Sequence, residues 1–383
     1  RSLHLIIPIN LDHLHNSLEG EARITMVLLR RNGSSNLISS APNTIVPCPA
    51  FRRSYTPNPS LKGIFAGSGV ASMSTRYMAQ AVVDLTQRRP QGVSLLYIGT
   101  ASYDITKFRD KQTNLFSEMG VTVESLNVAN QFVPIEEMEE AVDKADIILV
   151  SGGNTLYAVD RWEYLGLGEM LKGAAGRGKV VAGGSAGAIC WFDGGHSDSA
   201  DPDSYRLSKL NEFERNAVSS SNETKRNNKD GDDGNSKDWE YIRVEGLGIW
   251  PGLICPHYDR IQSNGVPRMT DFDSMMKRHP YELGIGIDHH AALELDGEDF
   301  RILSIPGQKG SVELGDDADG NGQAVPGAWL KYVDDDGTLH SKACPWSGKV
   351  TELLQMVEDT QKHLLLDQEK VELCRKENPL LRD

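Results

Sequence analysis

The chain has 383 residues, five cysteines and a formal net charge of −14, a length that suffices for one large domain or two ordinary ones with a sizeable core. The acidic balance argues against a general nucleic-acid or anionic-membrane surface, and no apolar run approaches the roughly 20 residues of a membrane span. Cys48, Cys190, Cys255, Cys344 and Cys374 are scattered without CxxC spacing, which reads as reduced intracellular thiols, neither a disulfide framework nor a zinc site.

No acidic residue lies between Glu21 and Asp84, while Arg23, Arg30, Arg31, Arg52, Arg53 and Lys62 fall there among serines. That composition suits either an organelle transit segment or a disordered extension. Residues 1–62 are therefore set apart as an N-terminal extension, and the expected location is intracellular, cytoplasmic or organellar.

From Gly63 the pattern becomes regular. "GIFAGSGVA" reads as a strand ending in glycines, and "SMSTRYMAQAVVDLTQR" as a helix capped by Ser72 or Ser74. "VSLLYIGTAS", "VTVESLNV", "DIILVSGGN" and "KVVAGG" read as further strands. The helical stretches "ITKFRDKQTNLFSEMG", "PIEEMEEAVDKA" and part of "TLYAVDRWEYLGLGEMLKGAAGRG" alternate with them. Buried strands alternating with helices imply an α/β fold with a mainly parallel, doubly wound sheet, whose ligands collect at the carboxyl ends of the strands. The glycine-rich junctions "SGGN" and "GGSAG" fall at such ends.

Residues 206–238 are polar, charged and nearly free of large apolar side chains. Such a segment cannot bury enough surface to order itself, so it reads as a disordered insertion in a domain spanning 63–345. The stretch from Trp239 to Tyr332 is mostly β. Residues 346–383 carry helical apolar spacing and are read as a C-terminal helix packing on the domain or on a second subunit of a homodimer.

Ser185 satisfies G-x-S-x-G between a predicted strand and a predicted helix, the context of a nucleophile elbow. An acyl-transfer serine needs a base, and His257, after an apolar strand and Pro256, is placed to project over the sheet end. No HExxH or dinucleotide signature is present, so no metal and no cofactor are expected.

The motifs "VSGGNTLYAVDRW", "GKVVAGGSAGAICW", "CPHYD" and "GIGIDHHAAL", in this order, resemble the aspartyl dipeptidase (peptidase E) and cyanophycinase family of serine peptidases. The resemblance covers about 63–332 without the insertion and implies a class I glutamine amidotransferase-like fold. On matching positions it implies Ser185 as nucleophile, His257 as general base, and the N–H groups of Gly153 and Ala186 as the oxyanion hole. Asn154 and Arg268 are assigned to substrate binding, Arg268 as a fork for a substrate carboxylate, with Arg260 as its alternative. The implied substrates are short peptides with an N-terminal aspartate, or β-aspartyl-arginine dipeptides.

The third member of the triad departs from the family pattern. The residue after "GIGID" that is normally acidic is His289. Asp288, Asp198 and Asp201 are the carboxylates that could replace it, with Asp198 favoured. Asp288 would need a bulge or a loop to take over from position 289. His289 could itself meet His257, though a neutral ring stabilises an imidazolium less than a carboxylate does. The rival readings are a pseudoenzyme or ligand-binding module that kept the fold, and an α/β-hydrolase esterase.

Overall fold

The computed structural model describes residues 59–204, 238–308, 327–334 and 336–358. The N-terminal extension up to residue 58, nearly all of the polar insertion and the tail from residue 359 lie outside the described residues.

The parallel part of the central sheet comprises β1 (Lys62–Ala66), β2 (Ser94–Ile98), β3 (Thr122–Leu126), β4 (Ile147–Val150) and β5 (Val180–Gly184). Three antiparallel strands extend it: β10 (Ala291–Asp296), β11 (Asp299–Ser304) and β14 (Ser347–Lys349). Their order across the sheet is β14-β11-β10-β1-β5-β4-β2-β3. Alternation along β4 shows why both faces are covered. Ile148 and Val150 enter one apolar cluster with Met138, Ala158 and Trp162, while Ile147 and Leu149 enter another with Val82 and Phe116. Helices α2 (Arg76–Asp84) and α3 (Thr106–Met119) therefore cover one face, and α4 (Ile135–Lys144), α5 (Thr155–Leu165) and α6 (Leu167–Gly176) the other.

The alternating pattern up to β5 corresponds to the expected α/β arrangement. The C-terminal half is more divided than one mainly parallel sheet. A second sheet contains β6 (Phe192–Ser197), β7 (Ile242–Glu245), β8 (Trp250–Cys255), β9 (Gly284–Ile287), β12 (Ala328–Val333) and β13 (Leu339–Ala343). Its order is β13-β12-β9-β8-β6-β7. Only β6, β8 and β9 are mutually parallel in it, and it shares the larger core through Trp250, Ile254, Ile285 and Ile287.

Local details also differ from the sequence expectation. The cap of α2 is Thr75, whose Oγ1 accepts from the Met78 N–H at 3.3 Å, because the preceding turn, α1 (Val70–Met73), uses up Ser72 and Ser74. The helical stretch after Asn154 is cut in two by Gly166 at φ 74°. The C-terminal helix α9 (Val350–Glu358) follows edge strand β14 directly, and Val350, Leu353 and Leu354 lie in the main core. The domain thus runs past residue 345.

β1, β5 and β4 are neighbours, so the segments leaving their carboxyl ends meet. A β-carbon on Gly187 would fall inside the carbonyl oxygen of Val150, whereas one on Gly176, at the exposed end of α6, would meet nothing within 4 Å. Gly187→Ala should therefore lower stability by about 1–3 kcal/mol or more. Gly176→Ala should leave it unchanged or raise it by up to about 1 kcal/mol. Denaturant midpoints of the two variants check this contrast.

Candidate active site

β5 is buried along its whole length and ends in Gly183 and Gly184, after which Ser185 takes φ 57° and ψ −124°. That conformation is unfavourable for a residue with a side chain and persists only where surrounding contacts impose it. Here they do. The Ser185 N–H donates to the Ala66 carbonyl at 3.1 Å, and its carbonyl accepts from Ala188 and Ile189 in the short helix α7 (Ala186–Ile189). The serine is partly accessible, on a turn at the sheet end.

His257 leaves β8 through Pro256 and is itself held at φ 51°. Its N–H donates to the Gly67 carbonyl at 2.9 Å, on the loop after β1. The ring then stands with Nε2 2.9 Å from Ser185 Oγ. An imidazole nitrogen at that distance can accept the hydroxyl proton, so the pair can generate a nucleophile. The two residues that the motifs single out are brought together from 72 positions apart.

The "SGGN" loop comes to the same place. A β-carbon on Gly152 would lie 3.3 Å from the Ser185 β-carbon, and Gly153 is exposed at φ 134°. Ala186 is the first residue of α7, so its N–H has no acceptor within that helix. Gly152 thus packs against the serine, and Gly153, the next residue, lies against the Ala101 carbonyl.

The remaining expected residues lie elsewhere. Asn154 is buried and caps α5: its side-chain oxygen accepts from the Tyr157 N–H at 2.9 Å, and its amide donates to Ser204 Oγ at 2.8 Å. It is committed to the scaffold. Asp198 is claimed by Arg268, 3.1 Å away. Arg268 opens α8 (Arg268–Arg278) and is 1% exposed. It donates to the carbonyls of His196 at 3.2 Å and Pro256 at 3.0 Å, and its guanidinium lies 4.9 Å from the Tyr241 ring centre. Both terminal nitrogens face protein acceptors and the group is sealed from solvent, so it offers no free fork. Arg260 is the more available cation, with a side chain 43% exposed beside Asp259.

Asp288 also turns away from the base. Asp288 lies just past β9, where its N–H donates to the Gly327 carbonyl at 2.9 Å and its carboxyl lies toward Gly327 and the Trp329 side chain. Burial, reinforced by the Asp259 charge, pushes its pKa up to about 7. The atom that faces His257 Nδ1 is His289 Nδ1, at 2.7 Å. Burial, with Arg260 beside it, holds His289 down at about 3, so this ring is neutral at ordinary pH. His196, deeper in the fold, is likewise pushed down to about 4 by burial, although its bond to Asp271 opposes this.

Sequence reasoning missed two contacts. Ser72 donates to the His289 carbonyl at 3.1 Å, and Asp259 accepts from the His289 N–H at 2.7 Å. Asp259 closes the "PHYD" motif, and that membership is the signal that could have singled it out. Among the described residues, no group of three or more His, Cys, Asp or Glu side chains is placed to hold a metal ion. No helix among them is long and apolar enough to cross a membrane.

Asp198 is partly exposed, so Arg268→Ala chiefly strands the buried His196 and Pro256 carbonyls; at about 1–3 kcal/mol for each unsatisfied group it should lower stability clearly and weaken every substrate alike. Retained stability with a selective loss on acidic substrates would refute the scaffold role. For Asp288, the folded carboxyl keeps its proton to about pH 7 whereas the unfolded one releases it near the ordinary aspartate value. Its contribution is thus full below the unfolded value and lost as pH rises through about 7. The stability of Asp288→Asn relative to the parent should therefore climb between about pH 4 and 7, by at most ~1.4 kcal/mol for each pH unit crossed. Urea unfolding of both proteins across that range measures it.

The family model for peptidase family S51 matches residues 64–214 and 216–303. A Trypanosoma brucei brucei protein named G2/mitotic-specific cyclin-1 is 29% identical over 297 residues, covering 70% of this chain and 84% of that one. The uncharacterized peptidase YgaJ of Bacillus subtilis (strain 168) is 33% identical over 200 residues, covering 52% of this chain and 70% of its own. Among solved structures, a peptidase from an acI-B1 Actinobacterium aligns with 75% of this chain and 96% of its own, at 17% identity and a TM-score of 0.46. The trypanosomal name is a cell-cycle one, and the other two are those of peptidases. The family match spans the elbow, the "SGGN" loop and the histidine-bearing turns, well over half of the chain, and by it the chain belongs to peptidase family S51.

Proposed function

We propose that this chain is a serine-type peptidase that hydrolyses short aspartyl peptides through an acyl-enzyme on Ser185. The observation that carries this reading is the 2.9 Å approach of His257 Nε2 to Ser185 Oγ, with both residues held at positive φ. In this reading His257 takes the serine proton as Oγ attacks the scissile carbonyl, and later delivers it to the leaving amine. The N–H groups of Gly153 and Ala186 receive the developing oxyanion, and each such donor is worth about 3 kcal/mol.

The substrate class rests on the family and on the charge beside the base. Arg260 is three residues from His257 and partly exposed, its Nε 3.3 Å from Asp259. It takes the place of Arg268 as the carboxylate reader in this proposal. β-Aspartyl-arginine linkages of the cyanophycinase type are the variant of the same chemistry. A second reading, a catalytically silent ligand-binding member, is favoured by one observation, the neutral His289 where a carboxylate is expected.

Fluorophosphonate labelling separates the two readings. The parent should label at Ser185, and Ser185→Ala should not. Turnover of Ser185→Ala should fall to the level that binding and the oxyanion donors alone supply, about 10³–10⁴ over water. His257→Ala should lose about as much, and the double variant little more, because the two groups act as one unit. Unchanged hydrolysis by folded Ser185→Ala would end the serine-peptidase reading.

The substrate is tested with Asp-Leu and Asn-Leu in parallel. A hydrogen bond to a charged group is worth about 1.5–3 kcal/mol, so Arg260→Ala should cut kcat/KM for Asp-Leu about ten- to a hundredfold. Asn-Leu should lose much less. Equal losses would remove Arg260 as the reader of the aspartyl carboxylate.

A further inference from the structure

We propose that His289 is the positioning member of a Ser185–His257–His289 relay, and that Ser72 and Asp259 hold it in register against the base. The proposal rests on the serine-peptidase reading above.

Two ring nitrogens 2.7 Å apart need one proton between them. If Nε2 of His257 accepts the Ser185 hydroxyl, the ring's own proton is on Nδ1 and is donated to His289. Nδ1 of His289 is then an acceptor, and its proton sits on Nε2. A single pair of tautomers therefore satisfies both hydrogen bonds.

The main chain of His289 is pinned on both sides. Its N–H donates to Asp259 at 2.7 Å, and its carbonyl accepts from Ser72 Oγ at 3.1 Å. Ser72 is buried, and its hydroxyl is 2.8 Å from that of Ser68. The adjoining Tyr258 N–H donates to the Ile287 carbonyl at 3.1 Å. The turn that carries the base is thus sewn to the turn that carries its partner, which fixes the two rings against each other. A side chain that met His257 only by chance would not require these bonds on both flanks.

The surrounding charges keep His289 neutral. Burial opposes a positive charge on it, and so do Arg260, His290 and Arg268. Of the nearby acids, Asp259 is bonded to the His289 N–H, and Asp288 faces Trp329. During acylation the Oγ–C bond forms as the carbonyl π pair moves to oxygen, and the hydroxyl proton passes to His257 Nε2. The resulting imidazolium keeps its Nδ1–H in the bond to His289. Nε2 then protonates the amine nitrogen as the C–N bond breaks, and water repeats the sequence to release the acid. His289 neither gains nor loses a proton. It orients the base as a carboxylate would, with less stabilisation of the cation.

The test compares fluorophosphonate labelling rates and pH–rate profiles of the parent, His289→Ala, His289→Gln, His289→Glu, Asp259→Ala and Asp259→Asn, each with its melting curve. His289→Ala should slow labelling and kcat about tenfold or more with KM little changed. His289→Gln, whose amide oxygen can accept the Nδ1–H, should recover part of that loss. His289→Glu should move the acid limb of the profile up by about 1–3 pH units, because an anion now faces the imidazolium. Asp259→Asn keeps an acceptor for the His289 N–H and should outperform Asp259→Ala. A folded His289→Ala with the parental rate, or a His289→Glu profile with an unmoved acid limb, overturns the relay. A parent that does not label removes the peptidase reading and the relay together, whereas a parent that labels with insensitive His289 variants removes the relay alone.

Discussion

Everything at the site depends on how closely three stretches of main chain approach one another. The segments leaving β1, β4 and β5 touch around Ser185: a β-carbon on Gly69 would lie 3.3 Å from the Gly152 α-carbon, and one on Gly152 would lie 3.1 Å from the Gly184 carbonyl. Side chains do not fit at such separations, so glycine recurs in all three loops. The crowding forces Ser185 out of the strand and into its strained backbone conformation, aimed at His257. Stored strain of this kind costs about 1–3 kcal/mol per residue and is sustained by the packed sheet beneath.

Behind this arrangement lies a buried polar layer that contributes rigidity. Arg268 ties the Asp198 loop, the His196 strand and the Pro256 turn together through one guanidinium. Asn154 does the same for the "SGGN" loop and the Ser199–Ser204 segment. Both residue types suit substrate recognition equally well, which is why their sequence positions suggested it. Their burial decides otherwise: a side chain sealed from solvent, with its terminal donors engaged inside the protein, has none to present to a ligand.

The electrostatics around the base are unusual for a chain with a net charge of −14. The ring facing His257 is neutral, the nearest cations are Arg260 and Arg268, and the buried Asp288 holds its proton to about pH 7. Each of those arginines has a carboxylate beside it: Asp259 lies 3.3 Å from Arg260 Nε and accepts from the His289 N–H, and Asp198 pairs with Arg268.

The sequence by itself determined the alternation of strands and helices, the place of the elbow, and the pairing of Ser185 with His257. The first two are legible because they follow from local rules, apolar period and glycine at sharp turns, whereas the pairing was legible only through the order of several motifs taken together. The division of the C-terminal half into a second sheet was not legible. Short apolar strands such as "GIGI" and "WPGLIC" carry no mark of which neighbour they will pair with. The third position opposite the base was decided only by tertiary structure. Asp198, Asp288 and His289 are all polar residues near strand ends, and composition cannot rank them. The turn after β9 set Asp288 against Gly327 and Trp329, a buried arginine claimed Asp198, and the stitched turns at 257–259 and 287–289 left His289 against the base. Which side chain faces which depends on register and burial between segments far apart in the chain, and those are properties of the packed fold.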